Sequence, residues 1–421
     1  MEAQRLSTQP YKGTRDLFPE DLKVQSYIFD TWRRVCKGFG YEEYQTPLLE
    51  PAEIYRAKSG EDIGGRELYT LTDMGGRELA LRPELTPSVT RMVCRKYKEL
   101  PKPIRLFSIG SFYRSEAPQR GRNREFWQLN ADIFGESSLN ADIEILQLAL
   151  ELMLAFNPPT GSFRLYLSNR KLLNSLFDLL NIENRSTVSR ILDKYQKLPA
   201  DVFEKALADL DISGERFSRV KAFMEGNIEK ELESSEGYNE IRKILAVLEA
   251  CGYKDLVEFR PSLIRGFDYY DGMVFEVFDM NKENTRSLFG GGRYNGLARI
   301  FGSENFPAVG FAPGDETTRL FLETWGLIPN LKDAEKCFLF AVTKREGITT
   351  YLNKVAQRLR TQEGKTVVTD LSENIEGVEE GLRETNKKGF RYAVFVGDNE
   401  FEKNGYTLKD LSTGDQTFSN L

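Results

Sequence analysis

Two long β-rich runs, IRLFSIGSFYR at 104–114 and EFWQLNADIF at 125–134, are separated only by the polar segment SEAPQRGRNR. A connection this short joins antiparallel neighbours, because a parallel crossover needs a dozen residues or more. A second hairpin is encoded by ELYTLTD and RELALRP around Met74-Gly75-Gly76. Strand signals return at 273–279 (MVFEVFD), 287–294 (SLFGGGRY) and 308–312 (AVGFA), the last running into a helix that ends near Gly326. These runs predict an α+β domain built on an antiparallel sheet flanked by helices.

Helical patterning frames this sheet. Val24, Ile28, Trp32 and Val35 recur at three- and four-residue spacing before Gly38 and Gly40, and a second helix is expected over 139–156. Residues 169–252 change character: LLNSLFDLLN, RFSRVKAFM and IRKILAVLEA carry helical periodicity with few strand signals, the mark of a helical insertion. The sheet domain is therefore expected over 1–168 and 253–327, interrupted by that insertion. After the linker IPNLKDAE, segments alternate β, α, β, α, β, predicting a small C-terminal α/β domain at 334–421 with parallel strands.

The chain has 421 residues and no histidine. Imidazole is the usual general base near neutral pH and the commonest metal ligand, so Ser-His-Asp, Cys-His and His-ligated zinc chemistry are excluded. Carboxylates, guanidinium groups and oxygen-ligated Mg²⁺ remain, which suits phosphoryl or nucleotidyl transfer. Neither a P-loop nor a strand-linked G-x-G-x-x-G is present, so a nucleotide would have to sit on the antiparallel sheet. The net charge of -6 argues against broad non-specific nucleic-acid binding but not against a local basic site. Cys36, Cys94, Cys251 and Cys337 form no C-x-x-C pair and are read as small core hydrophobes. No apolar leader and no run of roughly 18 apolar residues occurs, so a cytoplasmic protein without membrane partners is expected.

Segment 112–135, FYRSEAPQRGRNREFWQLNADIFG, is the richest in chemistry, with four arginines, two glutamates and interleaved aromatics. An arginine at a strand end can fork onto a phosphate and Phe126 can offer a flat face to a base; a solvated charged hairpin fits the same residues. Gln128 and Asp132 are four apart on one strand and share a face, which is either a pocket wall or a wet surface. RGFDYYDGMVFE at 265–276 can aim Arg265 and a phenol into a cleft or bury a tyrosine pair, and GGGRYNGL at 290–297 suits either close ligand approach or a tight turn.

Taken in order, these segments resemble the histidyl-tRNA synthetases, class II aminoacyl-tRNA synthetases, over essentially the whole chain. GTRDLFPED and YQTPLLEP resemble the N-terminal signature and dimer-forming first motif, 112–135 the second, and RGFDYYDGMVFE with GGGRYNGL the two histidine-specific motifs. The resemblance implies a homodimeric histidine-tRNA ligase that uses ATP and Mg²⁺ to form histidyl-adenylate and then charges tRNA(His). It implies that Arg114 grips the ATP α-phosphate and the amino-acid carboxylate, that Arg122 and Glu116 contact ATP, that Phe126 stacks on adenine and that Arg265 is the catalytic cation. Glu84 and Thr86 match positions holding the substrate amino group, and Gln128, Asp132, Tyr270 and Tyr294 match positions around its carboxylate and imidazole.

The third motif departs from the family pattern. AVGFAPGDETTRL puts Thr317 where an arginine usually falls, leaving Arg319 as the ATP-binding candidate about 200° further around the helix. Ala117 and Asn295 also replace more usual Arg and Asp. The C-terminal domain resembles the family's anticodon-binding domain with nearly balanced charge, 13 Lys and Arg against 14 Asp and Glu. RNA contact there would rest on a local patch such as Lys344, Arg345, Lys387, Lys388 and Arg391. The alternative is the histidine-binding regulatory paralogue of ATP phosphoribosyltransferase, which typically lacks the C-terminal domain and degrades the ATP-binding arginines.

Overall fold

The computed structural model describes residues 6–57, 65–195, 198–264, 270–284, 286–331, 336–372 and 374–421. The chain divides into two units, Met1–Ile328 and Pro329–Leu421.

The first unit is organised by an eight-stranded sheet. Its order is Glu42–Glu43, Ile104–Tyr113, Glu125–Phe134, Ala308–Phe311, Ser287–Arg293, Met273–Asp279, Phe163–Asn169 and Val257–Phe259. Every inner pairing is antiparallel, including the ten-residue hairpin that runs from Ile104 opposite Phe134 to Tyr113 opposite Glu125. Only the two edge strands pair in parallel. Both edge strands follow helical or long irregular connections, which short hairpin loops do not allow.

One sheet face is sealed by helices Pro19–Gly38 and Leu139–Leu154. Pro19–Gly38 begins with Pro at its first turn, carries Glu20 and Asp21 there and Lys37 in its last turn, matching the helix dipole. It buries Ile28, Phe29, Trp32, Val35 and Cys36 as one stripe. Leu139–Leu154 is apolar on most sides because it lies between this helix and the sheet. Two glycines allow close approaches between the central strands. A Cβ at Gly310 would collide with the Asp132 carboxylate, and one at Gly291 would strike the Gly310 carbonyl, so only glycine lets these three strands meet.

Six helices between Arg170 and Ala250 confirm the helical character of that stretch, and most bury their apolar faces in a separate cluster around Leu176, Phe177, Phe203 and Phe223. The last, Glu236–Ala250, instead places Ile241, Ile244 and Leu248 in the main core, and this anchors the helices to the sheet. A three-stranded sheet orders Leu49–Pro51, Glu78–Leu81 and Thr70–Thr72, with the expected turn at Met74-Gly75-Gly76.

The second unit contains a five-stranded sheet. Thr366–Thr369, Lys336–Ala341 and Tyr392–Val396 are parallel, as the α/β alternation predicts. Gly405–Asp410 and Gln416–Asn420 extend it antiparallel, a hairpin that sequence reading did not separate from the C-terminal tail. The cysteine expectation is corrected in part: Cys36 and Cys337 are buried, Cys94 is half-buried, and Cys251 is exposed just beyond a helix end.

Candidate active site

A cleft of about 1080 Å³, measured out to its open mouth, lies on the sheet face opposite the long helices, and its floor is strand Glu125–Phe134. Strand alternation points Phe126, Gln128, Asn130 and Asp132 to this side. Strand Ala308–Phe311 pairs alongside, and its glycine at 310 leaves the floor open above Asp132. The lining changes character along its length.

One end is cationic and aromatic. Arg114 lies at the end of strand Ile104–Tyr113, its Nε donating to the Pro83 carbonyl at 3.1 Å and its guanidinium 5.1 Å from the Phe126 ring centroid. No carboxylate pairs with it among the described residues. Phe126 is braced from behind by Phe112, with ring centroids 5.8 Å apart at 28°. Arg122 reaches back to Glu116 at 3.2 Å, and both line the cleft. A cation over an aromatic plate, with further guanidinium N–H groups uncommitted, suits a nucleotide phosphate beside a stacked base.

The other end is a buried polar pocket containing Asp132 and Tyr294, with Glu84, Thr86 and Tyr270 on its walls. The Tyr294 hydroxyl donates to Asp132 Oδ1. Burial pushes the Asp132 carboxyl up to about 7, with the Tyr294 hydrogen bond opposing the rise. Tyr294 is placed by its neighbour Arg293. That buried guanidinium donates from Nε and Nη2 to Asp142 at 2.9 and 2.8 Å and to the carbonyls of Glu136 and Ser138 at 3.0 and 3.1 Å. Every arm is satisfied, which fixes the strand end from which Tyr294 projects. Asn295 likewise knits the following turn, its Nδ2 donating to Asp271 at 3.1 Å and its Oδ1 accepting from the Ala308 amide at 3.2 Å.

The far wall is the start of helix Asp315–Thr324. Asp315 accepts from the Trp127 amide, Gln25 Nε2 and Arg15 Nη2, each at 3.0 Å. Arg15 also pairs with Glu316, whose carboxyl is raised first by burial, and both acids line the cleft. Thr317 faces the cleft while its Oγ1 donates to the Leu288 carbonyl at 2.9 Å. Arg319 does not line the cleft. Two residues further around the helix it binds Glu323 at 2.8 Å and Asp21 at 2.9 Å, so the expected ATP contact has no support here. Arg265, together with Asp268 and Tyr269, lies outside the described residues.

Ten of the expected site residues therefore line one cleft: Glu84, Thr86, Arg114, Glu116, Arg122, Phe126, Gln128, Asp132, Tyr270 and Tyr294. Sequence reasoning missed Asn130, although the alternation that selected Gln128 and Asp132 selects it too. It also missed Arg15, Asp315 and Glu316, whose convergence across 300 residues leaves no local signal.

The histidyl-tRNA synthetase family model matches residues 13–315, and an anticodon-binding domain model matches residues 336–420. A histidine–tRNA ligase of Leptospira biflexa is 39% identical over 430 aligned residues, spanning 100% of this chain and 97% of the relative. One from Opitutus terrae is 35% identical over 97% of this chain and 95% of its own. Among solved structures, a histidyl-tRNA synthetase from Nostoc superposes with a TM-score of 0.79 at 24% identity, over 99% of this chain and 97% of that one. A Bacillus halodurans protein described as an ATP phosphoribosyltransferase regulatory subunit/histidyl-tRNA synthetase gives 0.75 at 23%, covering 94% and 100%, and shares the fold. With its motifs gathered around one cleft and its full length matched, the chain belongs to the histidyl-tRNA synthetase family, class II aminoacyl-tRNA synthetases.

Proposed function

We propose that the protein is a histidine-tRNA ligase that joins histidine to ATP as histidyl-adenylate and transfers the histidyl group to the 3′ end of tRNA(His). The observation that carries this reading is the division of one cleft into two ends. Phe126 and Arg114 serve the nucleotide at one end, and Gln128, Asp132 and Tyr294 serve the amino acid at the other. The two substrates thus meet near the middle of the cleft, where proximity alone removes a large part of the barrier.

In the first step the histidine carboxylate attacks the α-phosphorus and pyrophosphate leaves. Negative charge accumulates on the non-bridging oxygens, and Arg114 supplies a fixed positive group there without reorganisation. Arg265 is assigned the matching cation on the basis of its motif. The attacking carboxylate is already ionised, so no protein base is needed, consistent with a chain that has no histidine side chain. In the second step the terminal ribose hydroxyl attacks the adenylate carbonyl carbon and AMP leaves, its phosphate accepting the proton.

The cleft contributes oxygen donors, Glu116 and Glu316, and the described residues hold no cluster of three acidic, Cys or His groups. That donor set fits Mg²⁺ carried in on the triphosphate with one or two carboxylates nearby, and does not fit a resident metal cage. When bound, Mg²⁺ would neutralise phosphate charge.

The second unit is assigned to the tRNA anticodon. Arg345 pairs with Asp398 and Glu402, Lys387 and Lys388 with Glu384, and Arg391 with Asp410. The pairs of Arg345, Lys387 and Lys388 lie at the surface and are worth about 0–1 kcal/mol, so phosphate can displace them. A homodimer is supported by the three-stranded sheet, where Leu49 and Leu71 remain 43% and 42% exposed beside Pro51, Leu79 and Leu81. A second copy would cover this apolar face. No described helix is long and apolar enough to cross a membrane, and a cytoplasmic location is assigned from the role in translation. Histidine-dependent exchange of pyrophosphate into ATP tests the function, and sedimentation tests the dimer.

A further inference from the structure

Arg82 directly follows strand Glu78–Leu81 and is 7% exposed, yet no carboxylate pairs with it among the described residues. Burial lowers its pKa, but a guanidinium stays charged, so the fold carries a buried cation without a counter-ion. Its arms reach oxygens on two other segments. Nε donates to the Ser111 carbonyl at 2.9 Å, and Nη1 to the Thr46 carbonyl at 3.1 Å and Thr46 Oγ1 at 3.4 Å. The main chain beside it is clipped to the same strand as Ser111 and to its end. The Tyr113 amide donates to the Arg82 carbonyl at 3.1 Å, and Arg114 Nε donates to the Pro83 carbonyl at 3.1 Å. Arg82 also lies over the Phe112 ring at 4.9 Å, and Phe112 stacks on Phe126, over which Arg114 lies at 5.1 Å. Gly110, paired opposite Gln128, makes room for the Arg82 head: a Cβ there would collide with Nη2, and its three nearest non-adjacent atoms all belong to this guanidinium.

Resting on the assignment of Arg114 to the activation step, we propose that Arg82 is a positioning residue: it staples its own segment to strand Ile104–Tyr113, so that the Pro83 carbonyl holds the Arg114 guanidinium in place for the transferring phosphate. Arg82 does not line the cleft, and it acts through Arg114. Lysine cannot replace it, because a single ammonium lacks the planar fork that bridges Ser111 and Thr46. A displacement of about 1 Å in a group that must meet the reacting atoms costs up to about 10²-fold in rate.

The test is a pair of double-mutant cycles in histidine-dependent pyrophosphate exchange, crossing Arg82→Lys and Gly110→Ala with Arg114→Ala. Gly110→Ala displaces the guanidinium while leaving Arg82 itself in the chain. Each single variant is expected to lower kcat by about tenfold or more against wild type. In the Arg114→Ala background neither should lower kcat by more than about twofold, because the group being positioned is gone. A wild-type kcat in either folded single variant would overturn the assignment. The same tenfold loss in both backgrounds would overturn it too, since general damage to the fold does not depend on Arg114. Urea unfolding establishes which variants are folded, and Gly110→Ala decides the matter where Arg82→Lys does not fold. Absence of exchange in wild type would instead overturn the ligase function itself, on which the proposal rests.

Discussion

Replacing Asp132 with Asn separates what this carboxylate costs the fold from what it gives the site. The side chain is 4% exposed, and burial lifts its carboxyl from 3.8 to about 7. Between those values the unfolded chain has released the proton while the folded chain still holds it. The folded state therefore binds more protons, and stability must fall as pH rises through this window, levelling off above pH 7. The full difference corresponds to about 4 kcal/mol, of which about 3 kcal/mol falls between pH 5 and pH 8. Asn keeps a carbonyl acceptor for Tyr294 and never ionises. Urea unfolding of both proteins at pH 5 and pH 8, without histidine and at fixed salt, gives the double difference directly. The background is low, because a chain with no histidine has few groups that titrate there. Asp132→Asn should gain about 3 kcal/mol on wild type between pH 5 and pH 8 while its KM for histidine rises. Identical pH profiles for the two proteins would refute the buried-carboxylate argument.

Three further outcomes follow from the same geometry. Gly310→Ala places a methyl group against the Asp132 carboxylate, so the Tyr294 contact is displaced; overpacking should cost about 1–3 kcal/mol and KM for histidine should rise more than KM for ATP in exchange assays. Arg114→Ala removes the uncommitted cation over Phe126, and kcat for exchange should fall about 10²–10³-fold with the unfolding midpoint little changed. Arg319→Ala should leave KM for ATP within about twofold and cost at most about 1 kcal/mol of stability by urea unfolding, because its partners are Asp21 and Glu323 outside the cleft. A large rise in KM for ATP would return Arg319 to the site.

The sheet was legible because its information is local. The hairpin 104–134 declares itself by β-branched and aromatic runs around a polar loop, and the same alternation puts Gln128 and Asp132 on one wall. The C-terminal parallel strands were legible through α/β alternation, whereas the final hairpin was not, since KDLSTGDQTF mixes turn and strand signals within a few residues. Long-range partnerships were invisible. Nothing in the sequence around Arg15 announces Asp315, and nothing around Arg319 announces Asp21; each pairing exists only because helix Pro19–Gly38 and helix Asp315–Thr324 pack together. Cys251 shows the limit of composition, because its chemistry suits a core but its position after a helix end exposes it.

The most direct test is ATP–pyrophosphate exchange with purified full-length protein, Mg²⁺ and each of the twenty amino acids in turn. The ligase account predicts exchange that depends on histidine and falls sharply in Arg114→Ala. Histidine binding without any exchange would contradict it and favour the regulatory alternative.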